Sequence, residues 1–249
     1  MKTLWLIPLL FCCAFVAPSA VLAQDAVPGE ILQRTLYISY GNEGGTAFKV
    51  DYHGKVYLVT AKHVVAGAPQ NGATIRIWQQ GDWKDYHTVK TIYPSSPDVD
   101  IAIFETDETI PTPYTVAATG SLTLGQPVWF LGFPFGGLGT RWYGGRFAFI
   151  KRGTMSGIDS TDPNAVVLYI DGFNNPGFSG GPIVCWDFNK HIYEVIGVVQ
   201  GYKPEAAKAL INGQAVDTQI LVNSGILVSY SINHAMKAIE ESQKTTETH

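Results

Sequence analysis

From Thr35 to Tyr230 the chain is cut into short runs rich in Val, Ile, Tyr, Phe and Thr, with Gly, Pro, Asn or Asp between them. The runs are Thr35 to Tyr40, Thr46 to Tyr52, Lys55 to Thr60, Thr74 to Trp78, Tyr86 to Tyr93 and Ile101 to Glu105 in the first half. In the second half they are Val128 to Phe133, Phe147 to Lys151, Val166 to Ile170, Ile183 to Phe188, Tyr193 to Gln200 and Gln219 to Tyr230. Strands spaced so closely leave no room for a crossover helix between each pair, so repeated βαβ units are excluded and a barrel or sandwich is indicated. The 26 glycines, with 12% aromatic and only 15% charged residues, suit such a turn-rich chain. The expected fold class is all-β.

Two helices interrupt this pattern. Ser231 can cap a C-terminal helix over 231–242, along which Ile232, Met236 and Ile239 recur near helical spacing. A second is expected at Pro204 to Leu210, inside an insertion between two late strands. Thr106 to Gly125, with Pro111, Pro113 and Gly120, reads as a connector between two halves, and 243–249 as a polar tail.

The first 23 residues stand apart. A positive Met1-Lys2 end, an apolar run from Leu4 to Ala17 and compact residues at Val21-Leu22-Ala23 form an export signal, with cleavage expected before Gln24. The run is shorter than the roughly 20 residues a spanning helix needs. The expected location is therefore periplasmic or secreted, with no membrane partner after signal removal. A net charge of −4 with scattered Lys and Arg argues against nucleic acid or an anionic membrane. Cys12 and Cys13 leave with the signal, so Cys185 remains as the single cysteine. No internal disulfide can form, and Cys185 reads as a packed core residue. No Cys/His group has metal-ligand spacing, and no metal or other cofactor is expected.

Three strings carry chemistry: Thr60-Ala61-Lys62-His63-Val64, Asp98-Val99-Asp100-Ile101-Ala102-Ile103, and Asn175-Pro176-Gly177-Phe178-Ser179-Gly180-Gly181-Pro182. A serine hydroxyl becomes a nucleophile only when a base takes its proton, and its attack on a carbonyl makes an oxyanion that needs donors. Gly177 can turn the backbone so that the N–H groups of Gly177 and Ser179 converge on one point as an oxyanion hole. Gly180 and Gly181 are expected to keep the substrate side free of bulk.

Taken together, His63 in Thr-Ala-Lys-His, Asp100 before Ile-Ala-Ile and Ser179 in Gly-Phe-Ser-Gly-Gly-Pro resemble the three signature sites of the trypsin/chymotrypsin superfamily, in its order His, Asp, Ser. The likeness spans roughly residues 32 to 242 and extends to Gly45-Thr46-Ala47-Phe48 and to Leu131-Gly132-Phe133-Pro134. The resemblance implies two six-stranded antiparallel β-barrels, the first over about 32–108 and the second over about 125–230, with a catalytic cleft between them. It implies a serine endopeptidase acting on polypeptides, with His63 as base, Asp100 as orienting acid and Ser179 as nucleophile. Asp98 is the rival to Asp100, but only Asp100 directly precedes Ile-Ala-Ile. Phe178 stands where digestive trypsins carry the Asp that receives the new N-terminus on activation. That, with the missing disulfides, makes the chain more similar to bacterial HtrA/Deg-type proteases, here without room for a PDZ domain.

By the same likeness, the position six before the nucleophile is Phe173 rather than an acid, so an apolar or small residue is expected before the cut bond. Val198, Val199, Gln200 and Gly201 are expected to pair with an extended substrate, with Tyr202 and the insertion to Thr218 bordering the pocket. The loop Gly136 to Gly145 reads as a mobile hairpin.

Two other functions compete. Gly177 to Gly181 also fits the nucleophile elbow of an esterase, with Asp217 and His234 completing the order, but that elbow needs a helix straight after the serine. A binding protein that keeps a protease fold with a silent cleft is the other.

Overall fold

The computed structural model describes residues 26–107, 122–142 and 145–247. The signal segment 1–23 and all but the ends of the connector lie outside the described residues.

A short helix, α1 (Gly29–Arg34), leads into β1 (Thr35–Tyr40), β2 (Glu43–Tyr52) and β3 (Lys55–Thr60). These are followed by β4 (Thr74–Gln79), β5 (Asp82–His87), β6 (Lys90–Ile92) and β7 (Ala102–Glu105). They form one sheet in the order β5-β4-β1-β2-β3-β7-β6. Its edge strands, β5 and β6, are neighbours in sequence, and the chain between them closes the sheet. Val89 donates its N–H to Glu105 (2.8 Å) while its carbonyl accepts from Gly72 (3.2 Å). The expected run Tyr86 to Tyr93 is thus two strands, and one bent strand, β5 plus β6, completes a six-stranded count.

The second half holds β8 (Pro127–Gly132), a tight turn α2 (Pro134–Gly137), the small hairpin β9 (Thr140–Trp142) and β10 (Gly145–Phe147), β11 (Phe149–Asp159) and β12 (Val167–Asp171). Then come β13 (Pro182–Asp187), β14 (Ile192–Ile211), β15 (Gln214–Ser231) and the terminal helix α3 (Asn233–Glu247). Six of these strands form a closed barrel, β11-β12-β15-β14-β13-β8. The α2 turn is helical only in name, since Phe135 and Gly136 both lie in the left-handed region (φ 52° and 71°).

Strand alternation sorts the apolar side chains into three layers. Along β3, Leu58 points into the first barrel beside Ile38, Ile75 and Phe104. Its neighbours Tyr57 and Val59 point the other way, into a layer between the barrels. Likewise Ile183 and Cys185 of β13 fill the second barrel with Phe130 and Ile170, while Val184 faces the layer between. Strands that wall both a barrel and this shared layer are buried on both faces, which is why they read as unbroken apolar runs rather than as alternation. Burial pushes the Cys185 thiol up to about 12, as befits a core residue.

Helix α3 lays Ala235, Ala238 and Ile239 on the shared layer, joined there by Ile232 just before it. The Ser231 hydroxyl accepts the Asn233 N–H (3.3 Å), but the cap position expected for it belongs to Ile232, whose carbonyl accepts the Met236 N–H (3.1 Å). The helix runs to Glu247, past the expected boundary at 242. Gln243 donates to the Tyr57 hydroxyl (3.0 Å) and Lys244 pairs with Glu240 (2.7 Å), so the polar tail has partners along the helix.

The helix expected at Pro204 to Leu210 is not there. β14 runs on to Ile211 and pairs with β15 from Pro204↔Asn223 to Ile211↔Gln214. The turn between them is Asn212-Gly213, both at positive φ (53° and 78°). Asn-Gly is the strongest short-range hairpin signal, and it overrides the helix preference of three alanines.

Candidate active site

His63 sits on a single 3-10 turn, Lys62–Val65, that follows β3. Val64 and Val65 are buried in the first barrel, which turns Lys62 and His63 outward. Asp100, just before β7, holds the histidine twice: its Oδ1 accepts the His63 backbone N–H (2.9 Å) and its Oδ2 lies 2.6 Å from Nδ1. One carboxylate so fixes both the turn and the ring, with Nδ1 as the protonated nitrogen and Nε2 left free to accept. Asp98 does not share this role. It is exposed, and its backbone carbonyl accepts from the Tyr230 hydroxyl (2.7 Å).

Ser179 comes from the other barrel, on the loop that enters β13. The Ser179 carbonyl accepts the Thr46 N–H of β2 (2.9 Å). Gly45, next to Thr46, lies against both Val64 and the Ser179 carbonyl, so tightly that a Cβ there would fall 2.8 Å from Val64. The His63 turn and the Ser179 loop therefore abut the same end of β2. The Ser179 hydroxyl donates to the Gln200 carbonyl (3.1 Å).

Three groups that the motif reading did not single out hold this loop. The buried Thr46 hydroxyl donates to the Gly177 carbonyl (2.7 Å) and accepts the Phe133 N–H (3.1 Å). The Phe135 N–H, on the α2 turn, donates to the Pro176 carbonyl (3.1 Å). Across a trans peptide the carbonyl and the N–H point in opposite directions, so anchoring Pro176 aims the Gly177 N–H away from Phe135. The Lys151 ammonium bonds the Phe173 carbonyl (2.7 Å) and Asn175 Oδ1 (2.5 Å), and burial holds its pKa below the usual range. Thr46 and Pro134 lie in strings that drew attention only as softer likenesses, and sequence could not say which hydroxyl or amide reaches which carbonyl.

The glycines answer to packing more than to substrate. Gly177 has φ 103°, and a Cβ on it would lie 2.3 Å from the Phe133 carbonyl. A Cβ on Gly180 (φ 82°) would sit 2.2 Å from the Thr46 carbonyl, and one on Gly181 2.0 Å from the Leu131 carbonyl. Gly180 and Gly181 are thus pressed on the protein's own backbone, not on an open substrate side as expected. Phe178 is fully buried in the second barrel, edge-on to Phe130 at 5.4 Å.

The expected substrate strand is shorter than its sequence reading. Val198 and Val199 are buried, and their edges are taken by β13, β15 and the Ser179 loop: Val199 accepts from Gly180 and donates to Gly181 (2.7 and 2.9 Å). Gln200, Gly201 and Tyr202 lie beyond that loop, and Phe173 is 55% exposed nearby in sequence to the loop's anchor. A recess of about 540 Å³ is lined by residues such as Tyr37, Trp78, Phe133 and Arg146 and includes none of the three motif residues. The esterase constellation is not assembled. A strand rather than a helix follows Ser179, Asp217 is on the exposed hairpin, and His234 accepts the Val166 N–H (2.8 Å).

Two barrels with a His-Asp pair on one and a serine loop on the other define a chymotrypsin-like serine hydrolase. The chain belongs to the trypsin-like peptidase domain family, whose model matches residues 30–198. It is thereby a serine endopeptidase, and its substrates are polypeptides. Among curated proteins none matches it in sequence. Similar solved structures include the active form of the Rv3671c protease from M. tuberculosis, at 21% identity, covering 85% of this chain and 82% of that one with TM-score 0.55. A serine endoprotease from Yersinia pestis matches at 18% identity over 87% and 67%, with TM-score 0.56. The HtrA-type protease AlgW with tripeptide matches at 19% over 85% and 62%, also with TM-score 0.56. At these identities the likeness is one of fold.

The hydrogen bond to Asp100 raises the His63 pKa above its ordinary 6.5, against a smaller opposing effect of burial. The raised value means that protonated His63 stabilises the fold, fully below pH 6.5, and that this is lost as pH rises through the folded value. Base function runs the other way and needs the neutral ring. The His63 ring, followed by NMR, is expected to titrate above 6.5 and to move down in Asp100→Asn; an unchanged midpoint in that variant would remove Asp100 as the cause.

Proposed function

We propose that the chain is an exported serine endopeptidase that cuts through a His63-Asp100-Ser179 triad and an acyl-enzyme. The reading rests above all on the double grip of Asp100 on His63, which leaves one imidazole nitrogen as an acceptor at the end of β2 where the Ser179 loop docks. In this mechanism a substrate main-chain N–H takes the Gln200 carbonyl and so releases the Ser179 hydroxyl toward His63. Nε2 accepts the serine proton as Oγ attacks the scissile carbonyl. The N–H groups of Gly177 and Ser179 receive the oxyanion. His63 then passes its proton to the leaving amine, and water, activated by the same ring, hydrolyses the ester. The site asks nothing of a metal or an organic cofactor.

Each of Ser179→Ala, His63→Ala and Asp100→Asn is expected to lower turnover by about 10⁴ while the fold melts as in the wild type. A fluorophosphonate probe should label the wild type and not Ser179→Ala. Normal peptide hydrolysis by any of the three variants would refute the triad.

Thr46 acts in this scheme as a positioning residue for the Gly177 peptide. Thr46→Val keeps the shape and loses both hydroxyl bonds. It is expected to cut kcat by about tenfold to a hundredfold with KM little changed, short of the about 10²–10³ lost with a donor itself. Thr46→Ser should restore kcat, and a serine variant as slow as the valine one would mean that packing alone is at work.

Export follows from the signal segment. Among the described residues no helix is long and apolar enough to cross a membrane. N-terminal sequencing of the protein recovered outside the cytoplasm should read from Gln24, and an intact Met1 there would contradict cleavage.

A further inference from the structure

We propose that the ribbon formed by the outer parts of β14 and β15, from Tyr202 to Gly225, binds the polypeptide substrate upstream of the bond to be cut, as an added strand on the β14 edge. This deepens the endopeptidase reading and rests on it for what the occupant is.

The topology makes the edge available at one point. β13 pairs with β14 only as far as Pro182↔Val198, and β12 pairs with β15 only as far as Asp171↔Ile226. Beyond those pairs, among the described residues, no other strand joins β14 or β15. On the β15 side the Gly172 N–H still reaches the Gly225 carbonyl (2.8 Å) and the Asn223 amide reaches the Asn174 carbonyl (2.5 Å), while the β14 edge is left open. The chain leaves the β14 edge at Gly180 and Gly181, which bond Val199, and Ser179 lies immediately before them with its hydroxyl on the Gln200 carbonyl. An extended chain with its scissile carbonyl at Ser179 would therefore take up the β14 edge where β13 gives it up. β13 runs antiparallel to β14. An occupant continuing its line in the same direction has its upstream residues running toward the Asn212-Gly213 tip. At about 3.3 Å per residue, the strand from Tyr202 to Ile211 offers roughly 30 Å of edge.

The composition of the ribbon fits such an occupant. None of the described side chains from 203 to 225 belongs to any of the apolar clusters of the core. Yet Leu210, Ile211 and Leu221 are 66%, 61% and 72% exposed, and Ile220 is 48% exposed. A lone two-stranded ribbon is only marginally stable in water, and an unpaired edge is a template for another strand. Lys203, Glu205, Lys208 and Asp217 cancel in charge, and Pro204 removes one donor, which guards the edge against indiscriminate pairing. The partner is an unfolded polypeptide segment with apolar side chains, held by main-chain hydrogen bonds.

Binding can be read without cleavage. Ser179→Ala protein is compared with the same protein in which Glu205–Val222 is replaced by an Asn-Gly turn. The probe is a fluorescein-labelled peptide of about twelve residues upstream of the cut bond, apolar at alternate positions, with a peptide of about four residues as control. By anisotropy, excision should weaken the long peptide about tenfold and leave the short one unchanged. Methylating alternate main-chain nitrogens of the long peptide, only in the part more than about four residues upstream of the cut bond, should cost the intact protein a similar factor. This second measurement decides the matter if the excised protein does not fold. Equal binding of the long peptide with and without the ribbon, or of the methylated and parent peptides, would overturn the proposal. So would a dimer that excision turns into a monomer with peptide affinity unchanged, since the ribbon would then join copies of the chain. Failure of the endopeptidase reading shows separately, as a wild type that no fluorophosphonate labels, and leaves the binding result standing.

Discussion

The contact on which the site depends is the one between the nucleophile loop and the backbone of the first barrel. At Gly180 the approach is so close that a single methyl group would sit 2.2 Å from the Thr46 carbonyl. The Thr46 N–H holds the Ser179 carbonyl at the same place (2.9 Å), and the Thr46 hydroxyl holds the Gly177 carbonyl (2.7 Å). Neither barrel owns a complete site. The imidazole and its carboxylate are built on one, the serine and its amides on the other, and the geometry between them is fixed by main-chain hydrogen bonds rather than by long side chains. A backbone contact of this kind tolerates little displacement, which suits a reaction where misplacement by about 1 Å is costly.

The shared apolar layer holds the barrels in that register. Tyr57 and Val59 of β3 share it with Val184 and Val198 of the second barrel, and Ile232 and the α3 residue Ile239 complete it. The loop itself is anchored by Phe178, fully buried against Phe130 where digestive trypsins place an acid. An apolar anchor needs no new N-terminus to be released, and the Phe135 N–H and the Lys151 ammonium complete the hold from the other side. The loop is thus set by burial and by hydrogen bonds from residues already in the chain, interactions that do not wait on a proteolytic event.

How much of this could be read from the sequence depended on the range of the interaction. The three motifs were legible because each is local: His63 follows a strand end, Asp100 precedes an apolar run, and Ser179 lies between glycines. That Asp100 rather than Asp98 meets His63 agrees with its register before Ile-Ala-Ile. What could not be read was which atoms meet across the barrels. Thr46 lies 131 residues from Gly177, and nothing local marks its hydroxyl as a clamp. Gly180 and Gly181 were given the wrong neighbour for the same reason, since only the folded chain shows that a carbonyl sits over each. The alanine-rich stretch after Pro204 failed differently. Its own preference is helical, and the two residues that decide the matter, Asn212 and Gly213, lie just past its end.

The two halves of the molecule's task call for opposite mechanical properties, and the chain separates them along a single strand. Between Val195 and Val199, β14 is buried and paired on both edges, part of the rigid wall that carries the nucleophile loop. A few residues later it is half of a free ribbon with exposed apolar side chains. Chemistry requires the first condition, because a pair of amides must already point where the oxyanion will form. Selection among flexible polypeptides is served by the second, because an open edge accepts main chain irrespective of most side chains. Gln200 to Tyr202 lie at the junction. In the proposed mode of binding, a substrate held on the loose part would reach the stiff part along the line of one continuous strand.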